Sequence, residues 1–247
     1  MASEVEPEIV LYDLACTKNV CFSPVVWRIR IILNYKNIPY KTVFLELADI
    51  EPTLKQLGIV PSESASTKPI KYTVPAITHL PTNTHIMDSL PIAQFLCTTY
   101  PSPPLPLTSP IGTQIESLAR STIALSFSAS LMPREIHILS PQSQAYFRRT
   151  REAMLKQPLE NLLEGDKEGK AWEGAEDKIR AVGKLILTNR EEGKFVLGRE
   201  PSYTDFFIAG ALQSAKVIHE GTWERMVAFP GFGGVYEACL PYMERKD

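Results

Sequence analysis

The stretch from Pro101 to Pro110 holds five prolines in ten residues. Each proline lacks an N–H and fixes φ, so neither a helix interior nor a central strand tolerates that density. The chain must cross this stretch as a semi-rigid extended linker, and a domain boundary falls there. The patterns on the two sides differ. Upstream, Ile9-Val10-Leu11-Tyr12 reads as a short strand, and Pro24 suits the first position of a helix through Val25, Ile29, Ile32 and Leu33. Lys41–Leu47, Tyr72–Leu80 and His85–Met87 read as further strands, with a short helix over Pro52–Leu57 ended by Gly58. Asp88-Ser89 opens another helix through Ile92, Ala93, Phe95 and Leu96. The order is β-α-β-α-β-β-α. Downstream, nearly every pattern is helical: a long helix from Ile115 that Pro133 can kink, then Gln142–Leu163, Glu173–Arg190, Tyr203–Ile218 and short helices within Val227–Tyr242.

The expected organisation is therefore an α/β domain over 1–100, a linker over 101–110 and an all-helical domain over 111–247. A chain of 247 residues can bury enough surface to need no staple. Its formal charge of −2 argues against nucleic-acid binding through bulk charge. Four cysteines are too few for a disulfide framework, and the Cys16–Cys21 spacing lacks the second pair that zinc requires. Met1–Glu8 has no signal-peptide character, and Leu118–Met132 is too short and polar to span a bilayer. The expectation is a cytoplasmic protein without a metal, nucleic-acid or membrane partner.

A domain order of this kind, a Pro-rich linker and a helical second domain resemble the cytosolic glutathione transferases. Pro75 within Tyr72-Thr73-Val74-Pro75-Ala76-Ile77 is similar to the family's cis-proline, and Asp88-Ser89 to its acidic-residue/Ser pair. Ser202-Tyr203-Thr204-Asp205 resembles its N-capping box, and Ser23-Pro24 stands where the family keeps its thiol-activating residue. The resemblance extends over about residues 9–245. Ser23-Pro24 followed by Trp27-Arg28-Ile29-Arg30 and Leu33-Asn34-Tyr35-Lys36-Asn37-Ile38-Pro39-Tyr40 is similar to the etherase-like, FuA-type fungal branch, with Arg28 and Asn37 replacing that branch's usual Lys and Gly.

The resemblance implies an N-terminal thioredoxin-like domain that holds glutathione as co-substrate, and an apolar or aromatic electrophile as the other substrate. It further implies a homodimer and a role in detoxification or secondary metabolism. A hydroxyl at a helix N-terminus that donates to sulfur favours the reactive thiolate, so Ser23 is the first candidate; an ordinary N-cap is the plain alternative. Cys21 is the rival, through a mixed disulfide with glutathione; a small buried hydrophobe is its alternative, and Cys16 ranks below it. Tyr12 is expected in the core. Val74 and Pro75 are expected to present backbone groups to the cysteinyl part, as an added strand would, and Asp88 and Ser89 to hold the γ-glutamyl end. Lys71, Lys55 or Lys68 could meet the glycine carboxylate. Phe127 and Met132 could line the acceptor pocket, whereas Trp27, Phe206 and Phe207 are expected in the core. His85 and His137 are expected in structural roles. Ser202 and Asp205 should serve folding. A second reading keeps the fold but makes the protein a binder of aromatic small molecules with little turnover.

Overall fold

In the computed structural model, which describes residues 6–61 and 72–245, three helices begin at a Ser-Pro step. Ser23, Ser109 and Ser140 are the N-caps, and a proline follows each where its missing N–H costs nothing. Ser109 accepts from Gly112 N–H at 3.0 Å and Ser140 from Ser143 N–H at 3.2 Å. The helices so started are α1 (Pro24–Tyr35), α4 (Pro110–Leu118) and α6 (Pro141–Leu155).

The α/β portion carries four strands, β1 (Ile9–Leu14), β2 (Tyr40–Leu45), β3 (Ala76–His79) and β4 (Thr84–Met87), in the order β2-β1-β3-β4. β1 and β2 pair in parallel across α1, and β1–β3 and β3–β4 pair antiparallel. Two further helices, α2 (Ile50–Gln56) and α3 (Ser89–Thr99), complete it. Along α1, every residue from Val26 to Leu33 is buried, because one face meets the sheet and the other meets a helix of the second half. Two arginines lie in that buried run. Arg30 pairs with Asp13 of β1 at 3.0 Å, both side chains being fully buried, and also donates to Tyr40 and Thr42.

The helical portion continues with α5 (Ala124–Glu135), α7 (Lys167–Glu173), α8 (Glu176–Ile186), α9 (Tyr203–Ile218), α10 (Glu220–Val227) and α11 (Phe232–Cys239). α9 forms its axis, and its start carries the expected capping box of Ser202 and Asp205. The Asp205 carboxylate accepts from Ser202 N–H and Val196 N–H, each at 2.8 Å. Between the halves, Lys36 Nζ donates to the Tyr100 and Pro103 carbonyls, and Tyr203 N–H donates to the Pro106 carbonyl. The extended stretch is thus pinned to α1 and α9.

Four helical expectations differ from what forms. The single helix over 142–163 ends at Leu155, with Lys156 left-handed at φ +56°; Pro158 then forces a restart as a short 3₁₀ turn over Leu159–Leu162. The helix expected over 173–190 forms only as α8, from Glu176 to Ile186, and α7, which reaches this range only at Glu173, lies upstream of it. α10 escapes a sequence search because its N-cap is His219, whose Nδ1 accepts from Thr222 N–H, rather than one of the usual cap residues. The long helix from Ile115 is interrupted not at Pro133, which sits inside α5, but by a π-helical turn over Ala119–Ile123. There the hydroxyls of Ser121 and Thr122 both donate to the Leu118 carbonyl.

Candidate active site

The loop between β1 and α1 is fixed by long-range hydrogen bonds. Thr17 N–H donates to the Ile138 carbonyl, Trp27 Nε1 to the Cys21 carbonyl at 2.9 Å, and Ser214 Oγ of α9 to the Phe22 carbonyl at 2.5 Å. Ser23 is therefore held at the start of α1. Its Oγ accepts a long 3.5 Å bond from Val26 N–H, and among the described residues no group accepts from its hydroxyl. Ser23 also forms part of the wall of a cavity of about 480 Å³ bounded by the start of α1, the π turn, α5 and α9. Phe22, Phe127, Leu131, Met132 and Phe207 make that wall mainly apolar. A pocket of this size and character suits a small aromatic molecule. π-helical turns often mark functional positions, and here Ala119 and Ile123 of that turn face the cavity.

Phe127 and Met132 line the cavity as expected. Phe207 does too, against the expectation of a core role: it turns from α9 into the wall, with Arg28 over its ring at 4.6 Å and Arg120 at 4.8 Å. Its neighbour Phe206 is fully buried, edge-on to Tyr35. Trp27 and Tyr12 are buried packing residues, and His85 bonds Thr78.

Cys21 is fully buried and contributes nothing to the cavity wall. Burial, and then the neighbouring Asp13 charge, push its thiol well above the ordinary range. Such an environment makes a cysteine inert. Cys16 is buried and donates to the Val20 carbonyl.

The second group of expected residues sits beside the cavity rather than in its wall. The Val74–Pro75 bond is cis, and among the described residues Val74 makes no backbone hydrogen bond. The Pro75 carbonyl accepts from Asp88 N–H at 3.1 Å, and Thr73 Oγ1 donates to the Asp88 carboxylate at 3.4 Å. Asp88 holds φ at +76°, a sparsely populated region for a residue with a Cβ. It precedes α3 without capping it, so the first N–H groups of α3 carry no side-chain partner from Asp88. Ser89, the first residue of α3, accepts from Arg28 at 3.1 Å and from Tyr203 at 3.2 Å. Arg28 also donates to Tyr203 at 2.9 Å and lines the cavity, so it joins the two groups. Among the described residues its buried Nε has no hydrogen-bond partner. Arg28 and Tyr203 have roles that local sequence does not signal; they meet Ser89 from 61 and 114 positions away. Lys55 is exposed and paired with Glu51. Lys68 and Lys71 lie outside the described residues. Among the described residues no cluster of His, Cys, Asp and Glu could hold a metal, and no helix is long and apolar enough to cross a membrane.

A four-stranded mixed sheet with flanking helices, followed by a helical bundle with an apolar cavity at their junction, defines a glutathione transferase fold. Family comparison agrees: residues 19–104 match the glutathione S-transferase N-terminal domain and residues 113–234 the C-terminal domain. The chain belongs to the glutathione S-transferase family. It is 32% identical to the glutathione S-transferase-like protein ustS of Aspergillus flavus, over 99% of this chain and 94% of that one. Among solved structures it is similar to the glutathione transferase GSTFuA2 of Phanerochaete chrysosporium, at 31% identity and a TM-score of 0.84, over 98% and 100% of the two chains. A glutathione S-transferase of Ceriporiopsis subvermispora, solved in complex with glutathione, superposes with a TM-score of 0.86 at 27% identity, over 97% and 99%.

Proposed function

We propose that the protein binds glutathione beside the cavity, uses Ser23 to stabilise its thiolate, and transfers it to an apolar or aromatic electrophile in the cavity, ether substrates included. One observation carries this reading. Ser23 stands at the N-terminus of α1 with a hydroxyl that no group among the described residues accepts from, in the wall of an apolar cavity large enough for the acceptor. A donated hydrogen bond and the positive helix end both favour the thiolate, and holding it beside the acceptor supplies proximity. Cys21 is a poor rival because its buried thiol resists ionisation. The Ceriporiopsis relative's bound glutathione supports the same co-substrate here.

In this reading the free backbone groups of Val74 pair with the cysteinyl part of glutathione. The uncapped start of α3 and the Ser89 hydroxyl take the γ-glutamyl carboxylate, with Arg28 adding positive charge, and Asp88 takes the ammonium. Lys55 being paired, Lys71 is the proposed partner of the glycine carboxylate. Assembly as a homodimer and a place in the cytoplasm belong to the same proposal.

The test is Ser23→Ala. A hydrogen bond to a charged group contributes about 1.5–3 kcal/mol, about ten- to a hundredfold in rate. The bound thiol's pKa, read by thiolate absorbance, should rise and the conjugation rate fall by that factor, with glutathione affinity changed less. An unchanged pKa and rate, with activity lost in Cys21→Ser instead, would leave Ser23 a cap only. Retention on immobilised glutathione without turnover of any electrophile would favour the ligand-binding reading.

A further inference from the structure

Four charged side chains reach the cavity wall: Arg28, Arg120, Glu135 and Arg151. Two are committed elsewhere, Arg28 to Ser89 and Tyr203, and Arg120 to Glu116 at 2.9 Å. Glu135 differs. It is half-buried in the last turn of α5, on the cavity side with Leu131 and Met132. Among the described residues no N–H or O–H group donates to its carboxylate, and Arg151 of α6 is the cation acting on it. Several charged groups on the neighbouring elements are engaged, while His137, two residues on, is exposed. Arg134, beside it on α5, is bidentate with Glu168 of α7; Glu160 is paired with Arg148; His219 bonds Thr222.

Glu135 and Ser23 line the same cavity. Phe22, next to Ser23, packs in one apolar cluster with Ile136, next to Glu135, and with Leu14 and Met132. That cluster brings the end of α5 to the loop that carries Ser23.

We propose that Glu135 is the catalytic acid on the acceptor side, protonating the oxygen leaving group of an ether held in this cavity. The proposal rests on the transferase reading above and deepens it. Glutathione gives its thiol proton to solvent on ionising. Sulfur attacks the carbon that bears the ether oxygen, the C–S bond forms, and the C–O bond breaks with its electron pair going to oxygen. Glu135 gives that oxygen a proton, and regains one from solvent before the next cycle. Thiol and ether thus become thioether and alcohol or phenol. A carboxyl in an apolar wall without hydrogen-bond donors loses solvation it does not recover. Burial accordingly pushes Glu135 up to about 7, against the pull of Arg151, and a general acid works best near the operating pH.

The experiment compares two acceptors in the whole protein at saturating glutathione, as a function of pH. One is an α-aryloxy ketone, which loses a phenoxide. The other is an activated aryl chloride, whose chloride leaves without a proton. In the wild type, kcat for the ether should fall as pH rises through about 7, and kcat for the chloride should show no such limb. Glu135→Gln should lower the ratio of ether rate to chloride rate by about a hundredfold, in the range of general acid catalysis, and remove the descending limb. Arg151→Met should move that limb to higher pH, because the carboxylate loses its cation. An unchanged rate ratio in Glu135→Gln would overturn the proposal while leaving the transferase reading intact. So would a wild type that conjugates the chloride and cleaves no ether. Turnover of neither acceptor would bring down the transferase reading, and this proposal with it.

Discussion

At the scale of single residues, Ser23 and Ser89 share one arrangement. Each hydroxyl accepts from the protein and keeps its own proton for something else: Ser23 accepts from Val26 N–H, Ser89 from Arg28 and Tyr203. In the proposed site those two protons meet the sulfur and the γ-glutamyl carboxylate. Ser89→Ala should therefore weaken glutathione about ten- to a hundredfold, the value of one hydrogen bond to a charge, but barely weaken an analogue that lacks the α-carboxylate. Calorimetric titration of both ligands decides this; equal losses for the two would reduce Ser89 to a structural residue. Asp205 is the contrasting case. It is fully buried and collects Ser202 N–H, Ser202 Oγ and Val196 N–H. Asp205→Ala strands those donors away from water, at about 1–3 kcal/mol for an unsatisfied group. The melting temperature should fall by about 2–4 °C per kcal/mol for a chain of this size. Glutathione affinity of the protein that does fold should stay the same.

Among the elements, α9 packs closely on the backbone of α1. A Cβ built on Gly210 would stand 2.9 Å from the Pro24 carbonyl oxygen and 3.2 Å from Arg28 N, both backbone atoms. Neither can give way without moving α1. Gly210→Ala should cost about 1–3 kcal/mol, as overpacking does. Because Pro24 and Arg28 follow Ser23 on α1, kcat should fall as well. Denaturant unfolding beside steady-state kinetics checks both; lost stability with unchanged kcat would show that α1 yields without disturbing Ser23. A second contact between elements is the bidentate bridge from Arg134 of α5 to Glu168 of α7, both bonds at 2.9 Å. Those bonds hold the Glu168 carboxyl below its ordinary value. A depressed carboxyl contributes stability above its unfolded pKa of about 4.3 and loses that contribution as pH falls through the folded value. Glu168→Gln should therefore melt lower than wild type near pH 7, and the two melting curves should converge toward pH 3. A constant gap between them would mean that the bridge is not what Glu168 contributes.

For the whole molecule, the two halves are joined along α1 and α9, and the extended stretch between them is bonded to both. A single cooperative transition is the expected outcome in scanning calorimetry. Glutathione at a hundred times its Kd should stabilise that transition by about 2.7 kcal/mol, about 5–10 °C at the scaling for chains of this size. Two separable transitions, with only the first moved by glutathione, would show that the α1–α9 packing does not couple the halves.

What is readable in the sequence is what depends on near neighbours. Ser-Pro at 23–24, the capping box at 202–205 and the 3.6-residue spacing on α9 act over a single turn, so α1 and α9 start where they are expected. The break at Pro158 belongs to the same kind of signal, and the periodicity around it hides it. The family resemblance adds the places of Ser23, Pro75, Asp88 and Ser89, though not what surrounds them. Only the tertiary structure joins Arg28 to Ser89 and Tyr203, turns Phe207 into the cavity while Phe206 enters the core, buries Cys21 beside Asp13, and puts Glu135 in the cavity wall with no donor among the described residues. The physical reason is range. A cap or an amphipathic stripe is set by residues three or four apart. Burial, desolvation and the hydrogen-bond partners of a side chain are set by whichever segments the fold packs against it.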